Sequence, residues 1–161
     1  MADAVHSITG VSPSLKWPND LLLQNRKLAG LLVETVSRKN LPPLALLGLG
    51  LNLHQQTGDF PPELQSSAIS LLQATGQTIP RARMLTAFLN NLLLRLDRPL
   101  PESMSAWRKA CSQLGQPITV RTGTETIQGV AEKLDDSGHL HLRLPDGIHR
   151  ILASGETDFP A

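Results

Sequence analysis

Apolar positions along the chain change spacing three times, and each spacing predicts a different kind of element. Residues 2–8 read as the end of a small helix, with Gly10 as its stop. Short strands follow. Residues 15–17 are extended, Pro18-Asn19-Asp20 is a turn cluster, residues 21–23 pair back, and residues 24–27 form a polar turn. Residues 28–36 and 44–53 are almost continuously apolar, which predicts central strands covered on both faces. Residues 37–43, with Pro42-Pro43, read as the loop between them, and the Pro-rich residues 55–66 as another loop. A short helix is expected over 67–74, ended by Gly76. A stronger one opens at Pro80, with Met84, Leu85, Phe88, Leu89, Leu92, Leu93 and Leu96 on one apolar face. After Pro99 and Pro101, a third helix over 103–114 aligns Met104, Trp107, Cys111 and Leu114.

From Gly115 the spacing becomes alternating. Residues 118–121, 126–134, 139–144 and 149–153 read as short strands, punctuated by Gly123, Asp136-Ser137-Gly138 and Asp146-Gly147. So many short strands in so few residues predict a small SH3-like barrel. The expected architecture is α+β: residues 1–114 form a mixed β-sheet with flanking helices, and residues 115–161 form the barrel.

Composition narrows the function classes. The chain has 161 residues, 40% hydrophobic and 18% charged, enough for a real core. Its net charge is +1 with no long basic run, so a nucleic-acid partner held by bulk electrostatics is not expected. The single cysteine, Cys111, excludes an internal disulfide and agrees with a reducing compartment. Apolar runs break well before ~18 residues, so no membrane span is expected. The N-terminus lacks the basic-then-apolar order of a signal peptide. A cytoplasmic enzyme, or a piece of one, is the default expectation.

Candidate chemistry concentrates in Lys16-Trp17-Pro18-Asn19-Asp20-Leu21, in Arg26-Lys27-Leu28-Ala29-Gly30-Leu31-Leu32-Val33-Glu34, and in Gly48-Leu49-Gly50-Leu51-Asn52-Leu53. Asp20 follows a turn between two strands, so its carboxylate can project from a rigid sheet into a cleft. Lys27 ends a polar turn just before an apolar strand, which places an ammonium at the mouth of the same cleft. Ala29 and Gly30 are small enough for a ligand to approach the backbone. Plainer readings stand beside these: Asp20 as a turn cap, Lys27 and Lys16 as solvated lysines, Trp17 as core or cleft wall. Glu34 reads equally as paired inside or as a site residue. Cys111 reads as a small buried hydrophobe, and His139 and His141 as an exposed strand face without metal-ligand spacing. Gly48-Leu49-Gly50 is not a dinucleotide fingerprint, because Leu53 stands where the third glycine belongs and no helix pattern follows.

In order, spacing and wording the three segments resemble the biotin–protein ligase family, which carries K-W-P-N-D, then K-x-A-G-I-L-x-E, then G-x-G-x-N. The resemblance covers nearly the whole chain and favours the biotin branch over the lipoate ligases. It implies half of a class II synthetase-like catalytic domain that activates biotin with ATP and Mg²⁺ and transfers it to a lysine of a carboxylase carrier domain. It implies that Lys27 stabilises charge where carboxylate and α-phosphate meet. It implies that Asp20 orients or deprotonates the attacking amine. It places Asn52 beside the adenine and extends the ligand-contacting set to Trp17, Asn19, Ala29, Gly30 and Lys27. The carrier protein is the implied partner, with a homodimer as an option and no membrane.

The chain departs from the family in one respect. A Gly- and Arg-rich loop that wraps biotin and the phosphates lies upstream of K-W-P-N-D in the family, and residues 1–15 contain nothing like it. The upstream Ser and Thr that bond the ureido ring and the DNA-binding domain of repressor-type members are absent too. The expectation is therefore a truncated, weakly active or inactive ligase piece without operator binding. The rival from another class is a non-catalytic remnant that binds a partner or a second copy through an open sheet edge.

Overall fold

Pro18-Asn19 and the polar Gln24-Asn25 each reverse the chain between short apolar strands, and so build a sheet by successive hairpins. The computed structural model describes residues 1–159. It begins with α1 (Ala2–Thr9), followed by β1 (Ser14–Lys16), β2 (Asp20–Leu23), β3 (Arg26–Arg38) and β4 (Leu41–Leu51). These strands form one sheet in the order β1-β2-β3-β4, each neighbour antiparallel. Parallel pairing is confined to single bridges, Leu15 with Cys111 and Lys27 with Ala68. Then come 3₁₀ turns at Thr57–Asp59 and Pro62–Leu64, and helices α2 (Leu71–Thr75), α3 (Arg81–Leu96) and α4 (Leu100–Ala110). A second, five-stranded antiparallel sheet closes the chain: β5 (Pro117–Thr122), β6 (Glu125–Leu134), β7 (Leu140–Arg143), β8 (His149–Leu152) and β9 (Glu156–Asp158), in the order β8-β7-β6-β5-β9. The expected α+β class holds. Gly147, at φ 84, closes the β7–β8 turn in a conformation that a β-carbon disfavours, as the Asp-Gly pair predicted.

Two cores result. In the first, Ala4 and Val5 of α1, Met84 and Phe88 of α3, and Ile69, Leu71 and Ile79 pack around Leu28 of β3. Asp3 holds α1 to α3, accepting two hydrogen bonds from the Arg95 guanidinium at 2.8 and 3.1 Å. The second core takes Ile118, Val120, Ile127, Ala131, Leu134, Leu140, Leu142 and Leu152 from the second sheet, and recruits Trp17 and Cys111 from the first part of the chain. Trp17 is 1% exposed. The segment that carries the candidate chemistry is thus built into the core of the other half.

Several local expectations are corrected. The apolar strands β3 and β4 are not covered on both faces: Leu32, Val33, Val36, Leu41, Leu44, Leu46 and Leu47 are exposed, Val33 by 61%. The inner part of the hairpin, with Leu28, Leu31, Leu49 and Leu51, packs on the first core, and the exposed side chains lie on its outer part. Residues 37–43 are not a loop, because the strands run to a two-residue turn at Lys39-Asn40, with Pro42 and Pro43 inside β4. Proline is tolerated there because β4 is an edge strand. Residues 67–69 are extended and pair with Lys27; the short helix starts only at Leu71, where Ser70 and Gln73 form a reciprocal cap. On α3 the predicted stripe is wider than its cover. Met84 and Phe88 are buried, whereas Leu85, Leu89, Leu93 and Leu96 are exposed. The third helix runs from Leu100, with Pro101 in its first turn, where a missing N–H costs nothing.

Candidate functional site

The strand register collects one row of side chains across the first sheet. Lys16 lies opposite Asp20, Asp20 opposite Gly30, and Gly30 opposite Gly50. The neighbouring positions on this face are Leu22, Lys27, Leu32 and Gly48. Simple alternation would send Lys27 to the other face. It does not, because β3 carries one extra residue: Leu21 pairs with Ala29, but Leu22 pairs with Lys27, leaving Leu28 as a bulge. A bulge of this kind re-aims the side chains beyond it. Lys27 Nζ then sits 2.7 Å from Asp20 Oδ1. The lysine side chain is 53% exposed and the aspartate 14%. With its lysine half in water, the ion pair contributes on the order of 1 kcal/mol or less to stability.

The pair stands directly over Gly30. A β-carbon there would lie 3.1 Å from Asp20 Oδ1 and 3.5 Å from Lys27 Cε. Gly48 and Gly50 extend the bare backbone across the floor of a cleft of about 1020 Å³. The opposite wall comes from the second sheet domain: Arg121, Ser154, Gly155, Glu156, Thr157 and Asp158. Arg121 Nη2 donates to Asp158 Oδ2 at 2.5 Å and lies 3.8 Å from Glu156, and Lys16 Nζ lies 3.6 Å from Asp158 Oδ1. A basic group therefore stands on each wall, facing a floor without side chains. Backbone that a ligand can approach closely, flanked by Lys16, Lys27 and Arg121 and by the carboxylates of Asp20, Glu156 and Asp158, suits a ligand with phosphate groups and proton transfer.

The motif residues divide by face. Asn19 belongs to the cleft, where its carbonyl accepts from Leu31 N–H at 3.0 Å and its Nδ2 donates to Leu31 O at 2.7 Å. Ala29 does not face the cleft. It is buried on the opposite side in the row Leu21–Ala29–Leu51, because it alternates with Gly30 along β3. Trp17 borders the cleft, but its indole lies in the second core. Asn52 braces main chain: Nδ2 donates to Lys27 O at 3.3 Å and to Ile69 O at 3.2 Å. The segment 67–69 holds Lys27 from the other side, through Lys27 N–H to Ser67 O at 2.7 Å and Ile69 N–H to Lys27 O at 3.0 Å. Glu34 is exposed opposite Leu46 and takes no ion pair among the described residues.

Arg121 and Asp158 escaped the sequence reading because charges scattered along short alternating strands look alike; only the ion pair of Asp158 with Lys16 marks them. His139 and His141 are likewise not a free face. Both converge on Asp135 Oδ2, at 3.5 and 3.1 Å. Loss of hydration raises the Asp135 carboxyl, but hydrogen bonds from His141 and from the His139 and Ser137 amides outweigh this and hold it down at about 2. Cys111 is buried as expected, and burial pushes its thiol up. Among the described residues no group of three or more His, Cys, Asp or Glu is arranged to hold a metal ion, and no helix is long and apolar enough to cross a membrane.

Comparison with known proteins matches two segments of the chain to family models. Residues 1–52 match the Biotin/lipoate A/B protein ligase family, and residues 114–159 match the Biotin protein ligase C terminal domain. The chain is 30% identical over 162 residues to the bifunctional ligase/repressor BirA of Bacillus spizizenii, covering 96% of this chain and 49% of that protein. It is 33% identical over 155 residues to the biotin–[acetyl-CoA-carboxylase] ligase of Mycobacterium tuberculosis, covering 87% and 52%. The chain thus spans about half the length of these curated relatives. Among solved structures, the biotin protein ligase of Aquifex aeolicus superposes with a TM-score of 0.83 at 27% identity, over 98% of this chain and 68% of that one. The same Aquifex aeolicus ligase in complex with biotin and ATP gives 0.77 at 27% identity, over 98% and 66%.

Proposed function

We propose, for a chain that belongs to the biotin protein ligase family, that its cleft takes part in activating biotin with ATP and in passing it to a lysine of a carboxylase carrier domain. The carrying observation is the Lys27–Asp20 pair at 2.7 Å over the bare backbone of Gly30. The floor of Gly30, Gly48 and Gly50 leaves room for a nucleotide and a small carboxylic acid. In the first step a carboxylate oxygen of biotin attacks the α-phosphorus of ATP, the bond to pyrophosphate breaks, and biotinyl-adenylate forms. Negative charge rises where the two anions meet, and the Lys27 ammonium stabilises it there. Any Mg²⁺ would arrive on the nucleotide phosphates. In the second step the carrier lysine nitrogen attacks the acyl carbon, AMP leaves with the bonding pair, and Asp20 aligns the amine and takes its proton. Asn19 fixes the turn that carries Asp20, Asn52 fixes the main chain of Lys27, and Trp17 ties the turn to the second domain.

A second reading is favoured by the exposed β3–β4 hairpin: a non-catalytic chain that associates with another polypeptide along the free β4 edge. One assay separates the two. The chain is given biotin and Mg-ATP, alone and together with the part of the Aquifex aeolicus ligase that it does not match, and pyrophosphate release is followed. Alone it turns over more slowly than ~1 s⁻¹. Complemented, it gains activity that Lys27→Ala lowers ~10²-fold or more. An Ala variant within about threefold of the parent would remove Lys27 from the chemistry and leave the binding reading. Asp20→Asn slows transfer from preformed biotinyl-adenylate. That defect shrinks as pH rises toward the amine's own pKa, near ~10.4.

A further inference from the structure

We infer that Thr157 and Gln113 are positioning residues for this chemistry: they clamp Trp17 and thereby set where the Asp20 carboxylate stands relative to Lys27. The inference rests on the reading of the cleft given above.

Trp17 has three groups that form hydrogen bonds, and all three go to distant parts of the chain. Its backbone N–H donates to Gln113 Oε1 at 2.8 Å, its carbonyl accepts from Thr157 Oγ1 at 2.8 Å, and its indole Nε1–H donates to Gly138 O at 2.9 Å. None of these partners lies in the sheet that carries Asp20. Trp17 is 1% exposed, Thr157 1% and Gln113 0%. Polar side chains are costly to bury, and each needs a partner to offset that cost. Gln113 presents Oε1 to Trp17 while its Nε2 has no partner. Core packing alone would be served as well by Val and Met at these positions. What the polar pair adds is the location of the two peptide units that flank Trp17, three residues before Asp20.

The two halves of the ion pair lie on neighbouring strands, β2 and β3, and each has a further anchor of its own. The Pro18-Asn19 turn is fixed at its start by the Trp17 clamp and at its end by the two Asn19–Leu31 hydrogen bonds. Lys27 is held by Ser67 and Ile69 and by Asn52, none of which hydrogen-bonds Trp17. Loosening the clamp therefore moves Asp20 and leaves Lys27 in place. Gly155 completes the seat: a β-carbon there would meet Val120 Cγ1 and Arg121 O at 2.9 Å and Trp17 Cζ3 at 3.6 Å, so its backbone lies hard against this junction.

Thr157→Val keeps the shape and removes the donor, whereas Thr157→Ser keeps the donor. On the whole chain, the Asp20 carboxyl ¹³C resonance and the Lys27 amide resonance report the two anchors separately, with no need for activity. The expected result is a displaced Asp20 resonance in Thr157→Val, its return in Thr157→Ser, and an unmoved Lys27 amide in both. In complemented enzyme, Thr157→Val lowers single-turnover transfer about tenfold without changing the carrier concentration at half-saturation, and it adds no further loss to Asp20→Asn. An Asp20 resonance equal in the Val and Ser variants, or Asp20 and Lys27 resonances that move together, overturns the clamp. So does additivity with Asp20→Asn. Should Thr157→Val fail to fold, Thr157→Ala makes the same comparison with a smaller side chain. Absence of any transfer activity counts against the ligase reading only, because the resonance measurement decides the clamp without it.

Discussion

Gly30→Ala tests the cleft with the smallest available change. Its β-carbon would stand 3.1 Å from Asp20 Oδ1, closer than the ~3.4 Å of an ordinary carbon–oxygen contact, so the carboxylate must retreat by a few tenths of an ångström. Lys27 can follow, being half exposed, but Asp20 is 14% exposed and has little room. The backbone itself does not resist, since Gly30 is not among the residues at positive φ. Alanine in a strand interior is favoured over glycine by ~0.5–1 kcal/mol, which offsets the crowding. Stability should therefore stay within about 1 kcal/mol of the parent, or ~2–4 °C in Tm for a domain of this size. The chemistry should not stay unchanged. Misplacement by 1 Å costs ~10²-fold, so a few tenths should cost roughly threefold to tenfold in adenylation. Gly50→Ala is the control: its β-carbon meets only Gly30 O, at 3.9 Å, and no neighbour has to move. Thermal unfolding followed by circular dichroism gives the stability, and the Asp20 carboxyl ¹³C resonance gives the displacement. The reasoning is refuted if Gly30→Ala leaves that resonance where Gly50→Ala leaves it, or if it lowers Tm by far more than this range.

Two further outcomes follow from titratable groups away from the cleft. The Asp135 carboxyl is held at about 2 against an ordinary 3.8, so its contribution to stability is fully present above pH 3.8 and lost as pH falls toward 2; the Tm deficit of Asp135→Asn should be widest above pH 3.8 and close toward pH 2, and a deficit that does not change over this range would contradict it. Burial raises the Cys111 thiol, so in the folded chain it should react with a thiol reagent at neutral pH far more slowly than after denaturation, and equal rates would show that the second core does not enclose it.

The sequence by itself determined the elements and the chemistry on offer. Gly ended α1 and α2 and alternation marked the second sheet, because turn preference and side-chain period are local properties, while the resemblance of the K-W-P-N-D and K-L-A-G segments to the biotin–protein ligases put Asp20 and Lys27 forward as candidates. Tertiary structure decided which of those residues meet. Lys27 reaches the face of Asp20 only through the bulge at Leu28, whereas Ala29, next to Gly30, lies on the other face by simple alternation; a one-residue shift in pairing inverts every side chain beyond it, and the local pattern does not record where it occurs. Continuous apolar runs also looked the same as strands covered on both sides, yet the outer part of the β3–β4 hairpin is exposed, because hydrophobic pattern reports what a strand would bury and not whether a cover is present. The place of Trp17 was least legible of all. Its partners Gln113, Gly138 and Thr157 lie 96 to 140 residues away, and contacts of that separation are fixed by how two cores close on one another.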